Sequence, residues 1–368
     1  MRESRRRLNM MSSNNNRDAE RQAFLAGAGW ADADAAPLAG DASTRSYQRL
    51  IREGAPAVLM IAPPGAEAPA CPAGADAPAR RALGYNAMAR LAGPNLNAFV
   101  AISAALRDAG LSAPEVYAAD PRSGFALLED LGDDLFARVV GRVDEATLYK
   151  SAIDALAMLH SRPMSRPESA DYSMLDYDAL ALEAEALLLM EWYWPLKKGA
   201  PASAEQCEEY AELWRSVFSN LSAPHTFVLR DFHAENLLWL PQREGVRKVG
   251  VIDFQDALFG HAAYDLVSLL EDARRDVDPE FAAEMVEYYK NSARSTFDAP
   301  GFDGDYAVLA AQRNAKILGI FARLAKRDHK PRYLDLLPRV EDHFRRDLAR
   351  PGIADIRNFF KMHFPELG

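Results

Sequence analysis

Between Phe227 and Asp256 the chain reads F-V-L-R-D-F-H-A-E-N-L-L-W-L-P-Q-R-E-G-V-R-K-V-G-V-I-D-F-Q-D, and this spacing leaves few ways to fold. Asp231 and Asn236 stand five residues apart, and Asp253 follows at the end of an apolar run. Thr226 to Leu229 has β character and delivers Asp231 to a loop. Leu237 to Leu240 and Val246 to Ile252 read as a hairpin turned at Arg243-Glu244-Gly245. Antiparallel pairing then puts Asn236 just before one strand and Asp253 just after its partner, at one end and next to Asp231. Phosphoryl transfer needs such a cluster: a carboxylate to accept a hydroxyl proton, and hard oxygen donors to hold Mg²⁺ against nucleotide phosphates. The expected roles are Asp231 as base and Asn236 and Asp253 as metal ligands.

Ahead of this stretch the pattern is mixed. Residues 1–17 are basic and read as a disordered tail, and a helix is expected over Asp18 to Ala28. Ser46–Ile51 and Ala57–Ala62 read as a hairpin turned at Glu53-Gly54. The loop Gly40-Asp41-Ala42-Ser43-Thr44 presents small residues whose backbone N–H groups approach a phosphate, with Ser43 as the contact. Residues 65–94 are rich in Ala, Pro and Gly and lack periodicity, which predicts a flexible insertion with room for a short helix near Ala79 to Leu91. A helix fits Leu96 to Ala109, stopped by Gly110, and strands fit Glu115–Ala119 and Gly124–Glu129. The turn Asp130 to Asp134 breaks the apolar run and is the expected hinge. Beyond it the pattern is mainly helical, around 147–160, 178–192, 204–221, 279–292, 306–327 and 333–350. The expected division is a nucleotide-binding lobe at 18–130 and a catalytic and substrate-binding lobe at 131–368.

These blocks resemble the aminoglycoside phosphotransferase and choline kinase family, and within it the bacterial anomeric sugar kinases of cell-wall recycling. The resemblance rests on G-D-A-S-T-R-S-Y-Q-R at 40–49, V-L-M-I-A-P-P at 58–64, L-L-E-D-L-G-D at 127–133 and E-W-Y-W-P at 191–195. It also rests on R-D-F-H-A-E-N-L at 230–237 and V-I-D-F-Q-D-A-L-F-G-H-A-A-Y-D-L at 251–266. It covers the chain from about residue 20 to the end, apart from 65–94. It implies an α+β fold like that of protein kinases, with a small, mainly β first lobe and a larger helical second lobe. It also implies ATP and Mg²⁺ as cofactors and phosphorylation of N-acetylmuramate or N-acetylglucosamine at C1 in peptidoglycan recycling. Asp231 would be the base, Asn236 and Asp253 the metal ligands, and the backbone of Glu129 and Leu131 the adenine contacts. His233, Glu235 and Asp256 are candidates for the sugar or the metal edge. Arg230 is expected to brace the loop through a carboxylate, Asp265 to bond loop backbone, and His160 to close its helix on the loop.

The chain departs from the kinase pattern in one respect. Protein kinases hold the nucleotide phosphates with a strand Lys paired to a helix Glu. No Lys occurs before Lys150, and Leu96 to Ala109 contains no Glu. Arg45 and Arg49, at i and i+4 on one face of a strand, are the replacement candidates. Trp192 and Tyr193 offer flat faces for a sugar ring or an ammonium group.

The formal net charge of −10 argues against a nucleic-acid partner. No apolar run reaches the roughly 18 residues of a membrane span. Cys71 and Cys207 lie far apart, which fits a reducing cytoplasm. The expected protein is a cytoplasmic monomer acting on a small amino sugar. The acidic stretch at 272–280 keeps an aminoglycoside or choline-type acceptor open. The missing Lys–Glu pair keeps open a nucleotide-binding pseudokinase.

Overall fold

The computed structural model describes residues 16–38, 44–65, 68–72, 74–92, 95–161, 164–169, 171–223, 226–293 and 299–368. Its first lobe is a five-stranded antiparallel sheet in the order β1-β2-β3-β5-β4. The strands are β1 (Asp34–Leu38), β2 (Ser46–Arg52), β3 (Ala55–Ile61), β4 (Val116–Asp120) and β5 (Phe125–Glu129). Helix α1 (16–27) precedes them, and α2 (Ala77–Leu83) and α3 (Leu96–Asp108) lie between β3 and β4. The β2–β3 turn has both Glu53 (φ 52°) and Gly54 (φ 82°) left-handed, the twist a two-residue hairpin prefers. β1 escapes sequence reading because it is an exposed edge strand containing Pro37, formed by pairing along β2.

Both faces of this sheet are covered, and the period of two divides them. Leu50, Ala57, Leu59, Phe125 and Leu127 pack with Leu25 and Trp30 of the amino-terminal segment. Met60, Ala126 and Leu128 face the other way and join Phe99, Ile102 and Leu106 of α3 in the main core. Arg17 lies 4.2 Å over the Phe125 ring, so residues 16 and 17 belong to α1 and not to a disordered tail. Residues 1–15 lie outside the described residues.

The second lobe begins with α4 (Phe136–Val139), α5 (Glu145–His160), the short pair β6 (Glu168–Ser169) and β7 (Tyr172–Ser173), α6 (Ala179–Ala186), α7 (Trp194–Lys198) and α8 (Ala204–Phe218). Next come β8 (Thr226–Val228), β9 (Leu237–Trp239), β10 (Val249–Val251) and β11 (Leu258–Gly260). β9 pairs β10 and β8 pairs β11, all antiparallel. The strand pairing of 258–260 extends beyond the opening stretch, where sequence reading expected strands to end. α9 (Ala263–Leu270), α10 (Pro279–Ser292), α11 (Ala299–Lys326), α12 (Leu337–Leu348) and α13 (Ala354–His363) complete the lobe. α11 is its axis, buried along most of its length. Gly319 lets the π-turn at Leu189–Tyr193 close on it: a Cβ there would lie 2.3 Å from the Leu188 carbonyl carbon, so no larger residue fits without a backbone shift. Among the described residues no helix is long and apolar enough to cross a membrane.

The expected flexible insertion at 65–94 is corrected. Its described part holds α2 and a π-turn at Asn86–Arg90, with Ala87 and Ala89 fully buried. Leu91 and Ala92 join the main core. Arg80 forms an ion pair with Asp178 beside α6, and Arg90 pairs with Asp256 at 3.0 Å. The segment is anchored by two arginines and by close packing of small side chains. That is why a hydrophobic-periodicity reading misses it.

Candidate active site

The catalytic loop is built on one buried carboxylate. Asp265, on α9, accepts the backbone N–H groups of Leu229 at 2.6 Å and Arg230 at 2.8 Å. Burial pushes its pKa up to about 7, against the opposing pull of those two N–H groups. Arg230 adopts φ 71°, a strained conformation for a residue with a Cβ. Its carbonyl accepts from Ser268 Oγ at 3.2 Å. Its guanidinium forms an ion pair with Glu185 and lies 4.9 Å over the Tyr177 ring. Both sequence expectations, Asp265 bonding loop backbone and Arg230 bracing the loop through a carboxylate, match this geometry.

Glu185 is fully buried and also receives Lys316 Nζ at 2.8 Å. Two cations on one carboxylate leave net positive charge beneath the loop. Asp231 responds to it. Burial raises its pKa, but the fields of Lys316, His233, Arg230 and Arg313 outweigh that and hold it below the usual carboxylate range. The carboxylate is therefore ionised at neutral pH, the state a base requires.

Asn236 and Asp253 reach the same end of the β9–β10 hairpin, as the pairing register predicts. Leu237 is opposite Val251, and Ile252 N–H donates to the Asn236 carbonyl at 3.0 Å. Asn236 Nδ2 donates to the Asp231 carbonyl at 3.0 Å, which leaves Oδ1 as the atom to offer a cation. Asp253 sits at φ 60°, turned out of the strand, and accepts from Gln255 Nε2 at 2.7 Å. Desolvation and the neighbouring Asp231 carboxylate raise its pKa, with Asp256 adding to this. The site therefore gathers negative charge at Asp253 that a divalent cation would offset. Its donors, a carboxylate and an amide oxygen, suit Mg²⁺. Among the described residues no group of three or more His, Cys, Asp or Glu forms a cage. Phe254 stacks on Phe99 of α3 at 4.8 Å, so the first lobe's helix touches the metal-side segment directly.

The remaining candidates divide. Arg45 is buried, hydrogen-bonds Tyr47 and lends positive field to Asp253; it stands at the cleft. Arg49 does not serve as a phosphate contact in this geometry. It grips the hinge, donating to Asp130 through Nε (2.5 Å) and Nη2 (3.1 Å), and to Asp133 at 2.8 and 3.0 Å. Ser43 lies outside the described residues. Glu129 spends its N–H on the Glu115 carbonyl at 2.8 Å, and its carboxylate pairs with Arg107 and Arg243. Leu131 packs against Gly250. Asp256 pairs with Arg90, and Glu235 with Arg274 at 3.0 Å.

Tyr193 is a correction. It is fully buried, its hydroxyl donates to Glu341 at 2.8 Å, and its ring packs on Phe364. Trp192 is half-buried against the same core. Tyr193 belongs to the packing of the carboxy-terminal helices, not to a sugar platform. His160 meets the Tyr289 hydroxyl on α10 at 2.8 Å through Nδ1, and Tyr289 in turn lies in the field of Asp265, which holds the loop backbone. Sequence reading missed Glu185, Lys316, Arg90 and Arg274. A signal existed for the first two, since charges inside the apolar runs of α6 and α11 require buried partners.

His233 is buried, and its pKa falls to about 4, chiefly because burial disfavours the cation. An unfolded chain takes up this proton near pH 6.5, whereas the folded protein refuses it until about 4, so this group costs stability as pH falls through that window. His233→Asn is expected to remove a penalty of about 3 kcal/mol at pH 4 relative to pH 7. The check is urea denaturation of both proteins across this range; parallel stability curves would refute it.

Comparison with known proteins supplies the family. The model of the phosphotransferase enzyme family matches residues 34–303. The chain belongs to that family. An N-acetylmuramate/N-acetylglucosamine kinase of Caulobacter vibrioides is 43% identical over 360 residues, covering 96% of this chain and 99% of the relative. A second so named, from Pseudomonas aeruginosa, is 30% identical over 340 residues, 89% of each chain. Among solved structures, a choline/ethanolamine kinase family protein from Mesorhizobium loti aligns with TM-score 0.53 at 17% identity, covering 94% of this chain and 99% of that one. An aminoglycoside phosphotransferase in ternary complex with ADP and hygromycin B aligns with TM-score 0.53 at 12% identity, covering 89% and 99%. These two establish the kinase-like, two-lobed α+β fold alone. The phosphotransferase is an ATP-dependent kinase, which rules against a regulatory pseudokinase.

Proposed function

We propose that this phosphotransferase transfers the γ-phosphoryl group of ATP to the anomeric hydroxyl of N-acetylmuramate and N-acetylglucosamine. The observation that carries the acceptor is the 43% identity, over nearly the whole of both chains, to a kinase named for these two sugars. The geometry supplies the chemistry. Asp231, held ionised by the cations beneath it, takes the proton of the C1 hydroxyl as its oxygen attacks the γ-phosphorus. The bond from that phosphorus to the β–γ bridging oxygen breaks, and ADP leaves. The anomeric hydroxyl is more acidic than an ordinary alcohol, so a carboxylate of low pKa is an adequate base. Asn236 Oδ1 and Asp253 would hold Mg²⁺, which when bound offsets charge on the phosphates. Arg45 is the phosphate contact that stands in for the absent lysine.

The test is incubation with ATP, Mg²⁺ and, separately, N-acetylmuramate, N-acetylglucosamine, kanamycin and choline. Phosphorus NMR is expected to show an anomeric phosphate on the two sugars; an ester at another carbon, or turnover of kanamycin or choline instead, refutes the proposal. Arg45→Ala is expected to raise the KM for ATP roughly tenfold, the loss of a charge-assisted hydrogen bond, with the sugar KM little moved. Steady-state kinetics with each substrate varied in turn decides this, and an equal rise in both KM values would remove Arg45 from the nucleotide side.

A further inference from the structure

One guanidinium at the catalytic loop has no place in the chemistry above. Arg274 follows α9, and its Nη1 lies 3.5 Å from His233 Nε2, while its Nε is 3.0 Å from Glu235 Oε2. These partners are the second and fourth residues after the base. Asp272 also lends its field to Arg274, but its oxygens are committed to backbone. Its Oδ1 accepts the N–H of Arg274 at 2.8 Å and its Oδ2 that of Ala234 at 3.3 Å. Glu235 is therefore the ion-pair partner of the guanidinium among the described residues. The Glu235 side chain is 46% exposed and that of Arg274 27%, so water reaches the pair and screens it.

We infer that Arg274 is the specificity-determining cation that receives the carboxylate of an acidic amino sugar, with Glu235 as its exchangeable counter-ion. The inference rests on the acceptor reading given above. N-acetylmuramate differs from N-acetylglucosamine by a lactyl ether bearing a carboxylate, so one site must admit both a neutral and an anionic sugar. A permanently unpaired guanidinium would favour only the anion, and a deeply buried ion pair would admit neither. An exposed pair is weak, of the order of 1 kcal/mol or less, and exchanges partners at little cost. With the neutral sugar Arg274 keeps Glu235. With the anionic sugar the lactyl carboxylate takes the guanidinium, and Glu235 turns to solvent. Arginine suits this role because its fork offers two parallel donors to a carboxylate.

The experiment uses the full chain with ATP and Mg²⁺ and measures kcat/KM for both sugars. Arg274→Gln is expected to lower the N-acetylmuramate to N-acetylglucosamine ratio roughly ten- to thirtyfold, mainly through the N-acetylmuramate KM, and Arg274→Lys to recover part of it. Glu235→Gln is expected to move the ratio the other way, because the competing carboxylate is gone. Equal losses on both sugars, or a matching rise in the KM for ATP, would overturn the inference and assign Arg274 to the loop or the phosphates. An unchanged ratio in Glu235→Gln would overturn the exchange. Turnover of neither sugar by the wild type would instead overturn the acceptor reading, and this inference with it.

Discussion

Asp231→Asn is expected to lower kcat by roughly 10²–10⁴-fold, the range that a positioned general base contributes, while leaving nucleotide affinity in place. Asn matches Asp in shape, and the loop keeps its other ties: Asp265 to the Leu229 and Arg230 N–H groups, and Asn236 Nδ2 to the backbone carbonyl of residue 231. What is lost is the proton acceptor, along with the charge that Lys316, Arg230 and Arg313 stabilise. ADP release in a coupled assay reads the rate, and calorimetric titration with ATP and Mg²⁺ reads the binding. Turnover within tenfold of wild type would show that another group takes the proton. A parallel loss of nucleotide binding would place Asp231 on the metal side.

The second large effect falls beneath the catalytic loop. Glu185 is fully buried and is shared by Arg230 and Lys316, with hydrogen bonds from the Tyr177 hydroxyl and, at 3.3 Å, from Gln312 Nε2. Burial raises its pKa, but Arg230 and Lys316 outweigh this and keep it ionised. Glu185→Gln leaves two buried cations without a carboxylate, and a broken buried pair costs about 3–5 kcal/mol. The urea midpoint is expected to fall accordingly, and kcat with it, because Arg230 precedes the base and carries the loop's strained turn. In Glu185→Gln with Lys316→Met one uncompensated cation is removed. That double variant is expected to regain part of the stability. Additive losses in this cycle would show that the two residues do not share a charge balance.

Much of this site is local in sequence and therefore legible there. Asp231, Asn236 and Asp253 are set by a strand, a tight loop and a hairpin, whose geometry follows from short-range pairing. The hairpin register alone brings Asn236 and Asp253 to one end. The charged residues that support them come from elsewhere in the chain. Glu185 lies 45 residues before Arg230, and Lys316 lies 52 residues beyond Tyr264, which it meets at 3.1 Å. No spacing rule links residues so far apart. Their only sequence trace is the polarity of single positions in otherwise apolar helices.

Arg49 shows the same division from the other side. Its strand, its face and its proximity to the nucleotide lobe's edge are readable from alternation. Whether its guanidinium reaches a phosphate or the hinge depends on where Asp130 and Asp133 come to rest, and the tertiary structure puts them on it. Tyr193 and the 65–94 segment repeat the point. An aromatic cluster and an Ala-rich stretch are ambiguous until their neighbours are known; here the neighbours are Phe364 and Glu341 for the first, and Asp178 and Asp256 for the second. By itself the sequence determined the candidate base, the candidate metal donors and the absence of the usual phosphate-clamp lysine, because each is a matter of residue type at short spacing. The tertiary structure alone decided which arginines grip the lobes, which one pairs with Glu235 beside the loop, and which buried charges hold Asp231 ionised. Those outcomes are long-range Coulomb and packing contacts, and only the folded chain brings such partners within reach.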